Sequence, residues 1–325
     1  MAQLQKLILA AASMLCAAQA GAQSPAFPSK AITVVHPQAS GGPIDITTRL
    51  IAQKASDNMG QPVLVEARPG AGGTISAVYV KQAQPDGYML LVGNHVSLAI
   101  NVTLMPKLPY DPLKDFVPVT LLWSNPTLLT VSAGSPAKSL REMVAIAKKA
   151  PDAASYATAG IGTTGHLAGH MLAIAAGTTM VHVPYKGSVE ALNDMMSGRV
   201  DMYLGSYASI ATYHKAGKIR LLAAVSARRN AMAPDLPTMP ELGYPDIHFD
   251  GWFGILAPAR TPQTLVQRLR DEFVKAVTSP EVQAKLASQG TVIMTSASPA
   301  EFGAFIAAEI VRLGRSAKAS GATAD

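Results

Sequence analysis

The chain has 325 residues, of which 49% are apolar and 15% charged, with a formal charge of +6 and one cysteine, Cys16. Scattered basic residues, adjacent only at Lys148-Lys149 and Arg228-Arg229, argue against a nucleic-acid partner and leave a mild bias toward anionic small molecules. The apolar fraction is enough for the cores of two domains.

Residues 1–22 read as a secretory signal. Lys6 supplies the basic start, Leu7 to Ala18 the apolar stretch, and Ala18, Ala20 and Ala22 the small residues before cleavage, which fits best after Ala20 or Ala22. Ser13-Met14-Leu15 lacks the spacing that would make Cys16 a lipid-acceptor site. Removing Cys16 with the leader excludes a disulfide framework, a thiol nucleophile and a cysteine metal site. Beyond the leader, no apolar run reaches the roughly 18 residues that span a bilayer. Val117 to Val131 is interrupted by Pro118, Asn125 and Pro126.

Strands and helices then alternate, which predicts parallel βαβ units. A strand over Ile32 to Val35 leads through Pro37-Gln38-Ala39-Ser40-Gly41-Gly42-Pro43-Ile44-Asp45 to a helix ending at Met59. A strand at Val63 to Val65 leads through Pro69-Gly70-Ala71-Gly72-Gly73 to a helix over Thr74 to Gln82, and Tyr88 to Val92 is a third strand. After the proline-broken stretch Phe116 to Val131, the capping box Ser139-Leu140-Arg141-Glu142 opens a helix that turns Leu140, Met143, Val144 and Ala147 inward.

A second series begins with Ser155 to Ala159, Gly160-Ile161-Gly162-Thr163-Thr164-Gly165 and a helix with Leu167, Met171 and Ile174 on one face. Strand Met180 to Val183, helix Ser188 to Met196 and strands Val200 to Leu204 and Leu221 to Val225 follow. Trp252-Phe253-Gly254-Ile255-Leu256 reads as a strand returning to the first unit. Three helices close the chain, opened by Thr261-Pro262, Ser279-Pro280 and Ser298-Pro299-Ala300-Glu301. The result is two αβ lobes with a mainly parallel sheet in each: residues 27–125 plus 252–325, and residues 126–251. Clefts between such lobes are favoured ligand sites.

The two glycine loops are built alike. A helix start presents unpaired amides and the positive end of its dipole, and glycine lets a ligand approach the backbone closely. Each is a candidate anion site, and two in one chain suggest a small acid held from both sides. Gly160-Ile161-Gly162-Thr163-Thr164-Gly165 also fits a dinucleotide fingerprint, but the next strand ends His182-Val183-Pro184-Tyr185-Lys186 without the acid that binds a ribose. His166 and His170 have a metal-like spacing but no third ligand. Ser40 has only His36 nearby as a base, and no nucleophile elbow occurs. Gly70 to Gly73 lacks the Lys-Ser/Thr of a phosphate loop and reads as a turn. Asp45 either caps its helix or pairs with Arg49. Tyr203, Ser206 and Tyr207 stand where second-lobe residues reach a cleft.

Together these segments resemble one family, the periplasmic solute-binding receptors of tripartite tricarboxylate transporters, called the Bug family. The likeness rests on Pro28-Ser29-Lys30-Ala31-Ile32-Thr33, Pro37 to Asp45, Gly60-Gln61-Pro62-Val63, Glu66-Ala67-Arg68-Pro69-Gly70-Ala71-Gly72-Gly73 and Pro85-Asp86-Gly87-Tyr88. It continues through Leu108-Pro109-Tyr110-Asp111-Pro112, Gly162 to Gly169, His182 to Gly187, Gly198-Arg199-Val200-Asp201 and Trp252 to Pro258. The resemblance implies a type II, Venus-flytrap receptor in the periplasm, with no cofactor, no metal and no enzymatic chemistry.

It further implies an extended carboxylate held by backbone amides and water between two loops. Gln38, Ser40, Gly41, Gly42, Ile44 and Asp45 would lie on one side, Gly162, Thr163, Thr164 and His166 on the other, with Asn94 and His95 at the rim and Tyr203 and Ser206 in the second lobe. The implied ligand is a di- or tricarboxylate or an aromatic acid; Gln38 stands where an aromatic residue is common and Ile44 where Thr is common, which points to an apolar or aromatic body carrying a carboxylate. The expected partner of this monomer is a membrane transporter, or alternatively a signalling sensor; an exported hydrolase using the same cleft is the reading from another class.

Overall fold

The computed structural model describes residues 27–230 and 232–319, so the expected leader over residues 1–22 and Cys16 lie outside the described residues. The first part of the chain forms β1 (Ile32–His36), α1 (Pro43–Met59), β2 (Val63–Ala67), α2 (Thr74–Lys81), β3 (Met89–Asn94), α3 (Asn101–Leu104) and β4 (Phe116–Asn125). The middle forms β5 (Thr127–Ser132), α4 (Leu140–Ala147), β6 (Ser155–Thr158), α5 (Thr164–Ala176), β7 (Val181–Pro184), α6 (Ser188–Ser197), β8 (Met202–Ser206), α7 (Tyr207–Lys215) and β9 (Ile219–Ala224). The chain closes with β10 (Gly251–Pro258), α8 (Gln263–Val277), α9 (Pro280–Ser288), β11 (Val292–Ile293) and α10 (Pro299–Ala319).

Two sheets result. The first has the order β11-β4-β10-β3-β1-β2, the second β7-β6-β8-β5-β9. Both are mixed, not mainly parallel as the alternation of elements suggests. β1 is parallel to β2 and β3, and β6 to β7 and β8, whereas β10 is antiparallel to β3 and β4, and β5 to β8 and β9. The cause lies in the crossings between the sheets. β4 leaves the first sheet, Pro126 interrupts the strand, and β5 continues into the second; β10 comes back and inserts between β3 and β4. α7 is a further difference, filling a stretch the sequence reads only as the gap between two strands.

Local rules place most other elements where the sequence predicts them. α1 begins after Gly42 with Pro43 in its first turn, buries Ile44, Thr48, Ile51 and Ala55 at helical spacing, and ends at Gly60 in a left-handed conformation. Ser139 Oγ accepts the Glu142 amide at 3.2 Å while Glu142 takes the Lys138 amide at 2.6 Å, one residue earlier than the usual reciprocal bond. In α5, Leu167 is fully buried, but Ile174 is 53% exposed and points away from the core. Trp123 stacks on Phe253 with ring centroids 4.9 Å apart in the core between the first sheet and α1 and α8. A second apolar cluster runs through both lobes, joining Leu91, Leu98 and Trp252 to Leu129, Tyr156 and Met202. No helix among the described residues is long and apolar enough to cross a membrane.

Candidate functional site

The carboxyl ends of β1, β3, β6, β7 and β8 open toward one interlobe cavity of about 540 Å³. Such strand ends favour ligands because the following helices start there and direct unpaired amides into the crevice. Pro43 and Ile44 of α1, Thr164 and Gly165 of α5, Ser188 of α6 and Ser206 before α7 all line it. Gly165 is required for the approach, because a Cβ there would collide with the Leu204 carbonyl at the end of β8.

Among the residues singled out from sequence, Gln38, Ile44, Asn94, His95, Thr163, Thr164, Tyr203 and Ser206 line this cavity. Ser40, Gly41, Gly42, Asp45, Gly162 and His166 belong to the flanking loops or stand behind them and are not in its wall. Residues that sequence reasoning did not single out include Lys186, Ser188, Ser209, Asn125, Thr127 and Phe253. Lys186 is the one Lys or Arg among the lining residues, which include no Asp or Glu. A signal for it was available: β7, Gly187 and α6 repeat the strand, glycine and helix pattern of the two recognised loops.

The first loop contains its own anion. The Asp45 carboxylate accepts the Gly41 amide at 2.9 Å, His36 Nε2 at 2.8 Å and Arg49 Nε at 3.0 Å. Chiefly the Arg49 guanidinium, assisted by these other donors, holds the Asp45 carboxyl down at about 2. Burial lowers His36 below the ordinary imidazole range, and its Nδ1 accepts the Gln38 amide at 3.4 Å. With both ring nitrogens engaged, His36 is not free to serve Ser40 as a base. Asp45 therefore shapes the loop from behind, and the Gly41 amide expected to face a ligand is already occupied.

The second loop is braced in a parallel way. Gly162 donates its amide to His166 Nδ1 at 3.2 Å, and a Cβ at Gly162 would face Ile100 and Leu104 of the other lobe instead of the cavity. The His166 ring stacks on His182 at 4.1 Å, and Tyr156 stacks on the other partner at 4.9 Å. His182 Nε2 meets Thr158 Oγ1 at 2.8 Å. Burial first, and neighbouring imidazoles second, push His166 and His182 down to about 4. The Thr163 hydroxyl caps α5, accepting the His166 amide and donating to the Gly160 carbonyl at 2.8 Å. His170 Nε2 bonds the Ala319 carbonyl at 2.8 Å.

At the rim, Asn94 Oδ1 accepts the Val96 and Ser97 amides at 3.1 and 2.9 Å. His95 is 8% exposed, and its Nδ1 has no hydrogen-bond partner. Burial lowers that imidazole to about 4. In the second lobe the Tyr203 hydroxyl lies 3.3 Å from Ser209 Oγ, which donates to the Ser206 carbonyl at 2.7 Å. The cavity thus offers helix-start amides, hydroxyls and one ammonium, with Ile44, Val96 and Phe253 as apolar wall. A wider surface groove of about 780 Å³ between β9 and the start of α4 contains none of the sequence-derived candidates.

The family model described as "Tripartite tricarboxylate transporter family receptor" matches residues 47–321. A protein encoded in the tcbD-tcbE intergenic region of Pseudomonas sp. (strain P51) is 38% identical over 266 residues, covering 82% of this chain and 79% of that protein. The solved structure of R. palustris Rpa4515 with adipate aligns with a TM-score of 0.83 at 32% identity, over 91% of this chain and 99% of that one. The periplasmic binding protein BugD aligns with a TM-score of 0.80 at 31% identity, over 91% of this chain and 99% of its own.

Proposed function

This chain belongs to the tripartite tricarboxylate transporter receptor family, and from that premise we propose that it captures a small carboxylate in the interlobe cavity and delivers it, unchanged, to a membrane transporter. The observation that carries the reading is the cavity's donor set: four helix starts from both sheets and the Lys186 ammonium, with no lining carboxylate. That combination favours an anion, and oriented amides do so without titrating. The adipate in the R. palustris relative supports the same ligand class.

The lobes in this reading are residues 27–125 with 252–325, and residues 126–251, and the protein works as a periplasmic monomer after loss of residues 1–22. Closure by rotation about the crossings at 125–127 and 249–251 brings the Ile44 and Thr164 sides onto the ligand. Gln38, Asn94, Lys186, Ser188 and Ser206 contribute polar contacts, while Ile44 and Phe253 cover an apolar ligand body. Hydrogen bonds to a carboxylate contribute roughly 1.5 to 3 kcal/mol each, so a few suffice for micromolar affinity after ordering costs.

A thermal-shift panel of mono-, di- and tricarboxylates and aromatic acids on the mature protein tests this. A ligand at about 100 times its dissociation constant adds roughly 2.7 kcal/mol of stability. The reading predicts a rise of several degrees for at least one acid and no chemical change in that acid on prolonged incubation. Turnover of the acid, or a response confined to uncharged compounds, would refute it.

A further inference from the structure

The binding reading leaves one buried cluster unused, at the place where the chain crosses between lobes. Three segments meet there, and their backbones are laddered: the Val225 amide donates to the Thr127 carbonyl at 2.8 Å, and the Phe249 amide to the Val225 carbonyl at 2.8 Å. Asp250 follows directly. Its carboxylate accepts the Ser226 hydroxyl at 2.5 Å, and the Thr127 backbone amide stabilises the same group. Thr127 then reaches the ligand cavity, its Oγ1 2.8 Å from Thr164 Oγ1 in the first turn of α5. One polar chain therefore runs from Asp250 through Thr127 to Thr164.

We propose that Asp250 is a positioning residue for the ligand cleft: its carboxylate ties the interlobe crossings together and, through Thr127, fixes Thr164 and the start of α5. The role of Thr164 toward ligand rests on the carboxylate-receptor reading; the tie itself does not. Charge matters to the tie, because burial penalises the ionised carboxyl more than its hydrogen-bond donors favour it. Burial raises Asp250 to about 6, with the Ser226 hydroxyl, the Thr127 amide and Arg312 opposing that rise and Glu309 adding to it. Arg312 and Glu309 come from α10 and are paired with each other at 2.6 Å. His248 lies in the same crossing, and His95 faces Gly251 from the end of β3; burial lowers both imidazoles, His95 to about 4, so His95 is neutral as Asp250 titrates. Because burial holds Asp250 above the value it takes when the crossing opens to solvent, acidification through about pH 6 favours the closed crossing over the open one.

The test is amide hydrogen exchange by mass spectrometry on the ligand-free mature protein at about pH 5 and about pH 7.5, corrected for intrinsic exchange rates. In wild type, segments 123–130 and 160–167 are expected to gain protection through Asp250 on acidification, by roughly 5-fold or more. Asp250→Asn, isosteric with the neutral acid that burial already favours, should abolish the gain in both segments and leave at 160–167 only the opposite pH dependence of His166 and His182. Ser226→Ala removes a donor to the carboxylate and should move the midpoint to higher pH. Thr127→Val should keep the gain at 123–130 and remove it at 160–167. Wild-type protection at 123–130 that does not rise on acidification, or an unchanged response in Asp250→Asn, would overturn the proposal; an unchanged response of 160–167 in Thr127→Val would overturn the link to Thr164. Because no ligand is present, these outcomes are independent of whether a carboxylate ligand is found.

Discussion

Asp45 and Gly41 are joined at 2.9 Å, carboxylate to backbone amide, so the first glycine loop carries its own anion four residues from the amide it satisfies. The bond closes the loop over the start of α1 and leaves the amides nearer the cavity for a ligand. Asp45→Ala should cost about 1–3 kcal/mol, since it removes a buried acceptor and leaves His36 and Gly41 unpaired. Urea unfolding at neutral pH measures it. Because folding lowers the Asp45 carboxyl from 3.8 to about 2, its stabilisation is complete above about pH 4 and is lost as pH falls through about 2. The Asp45→Ala penalty should shrink over that window.

The stacked imidazoles give a second, separable pH dependence. His166 and His182 are held at about 4 in the fold against 6.5 when free, so the unfolded chain binds more protons between those values. Stability should decline as pH drops from about 6.5 toward about 4, with a slope of up to about 1.4 kcal/mol per pH unit for each site. His182→Phe keeps a ring against His166 and should flatten that slope. An identical slope in this variant would mean that the pair is not its source.

Gly165 packs the start of α5 against β8. Gly165→Ala places a Cβ into the Leu204 carbonyl, and the overpacking should cost about 1–3 kcal/mol and displace Thr164. Thermal unfolding reads the first effect, and titration with the acid found by thermal shift reads the second. Equal stability and equal affinity would show that the helix start tolerates displacement.

Lys186 is exposed at the cavity wall, so its contribution is screened by solvent. Lys186→Met should weaken binding of an acid by up to about 5-fold and reduce the salt dependence of its affinity. A variant whose affinity keeps the wild-type salt dependence would remove this ammonium from the anion's surroundings.

Much of the architecture was legible because most helix starts carry a local signature. Gly42-Pro43 and Thr163 mark helix starts, the two capping boxes form, and Ser155 to Ala159 gives β6. What failed depends on distant parts of the chain. Nothing local to Phe116 to Val131 says that Pro126 separates strands belonging to different sheets, and α7 buries only Tyr207 and Ile210, too few apolar positions to declare a helix. Gln38, Ile44 and Thr164 reach the cavity as the family resemblance implied, whereas Gly41 and Gly162 are engaged by side chains four residues on. Glycine spacing reveals where a backbone can approach a ligand, but side-chain geometry decides which amides remain free to do so.

The central claim is that both lobes hold one anion, and calorimetric titration of the acid identified by thermal shift into three proteins tests it most directly: wild type, Ile44→Glu from the first wall and Ser188→Glu from the second. Each substitution places a negative charge beside the ligand, and each should lower affinity by at least about 10-fold while the protein still unfolds cooperatively. Wild-type affinity in either folded variant would contradict closure of both lobes on one carboxylate.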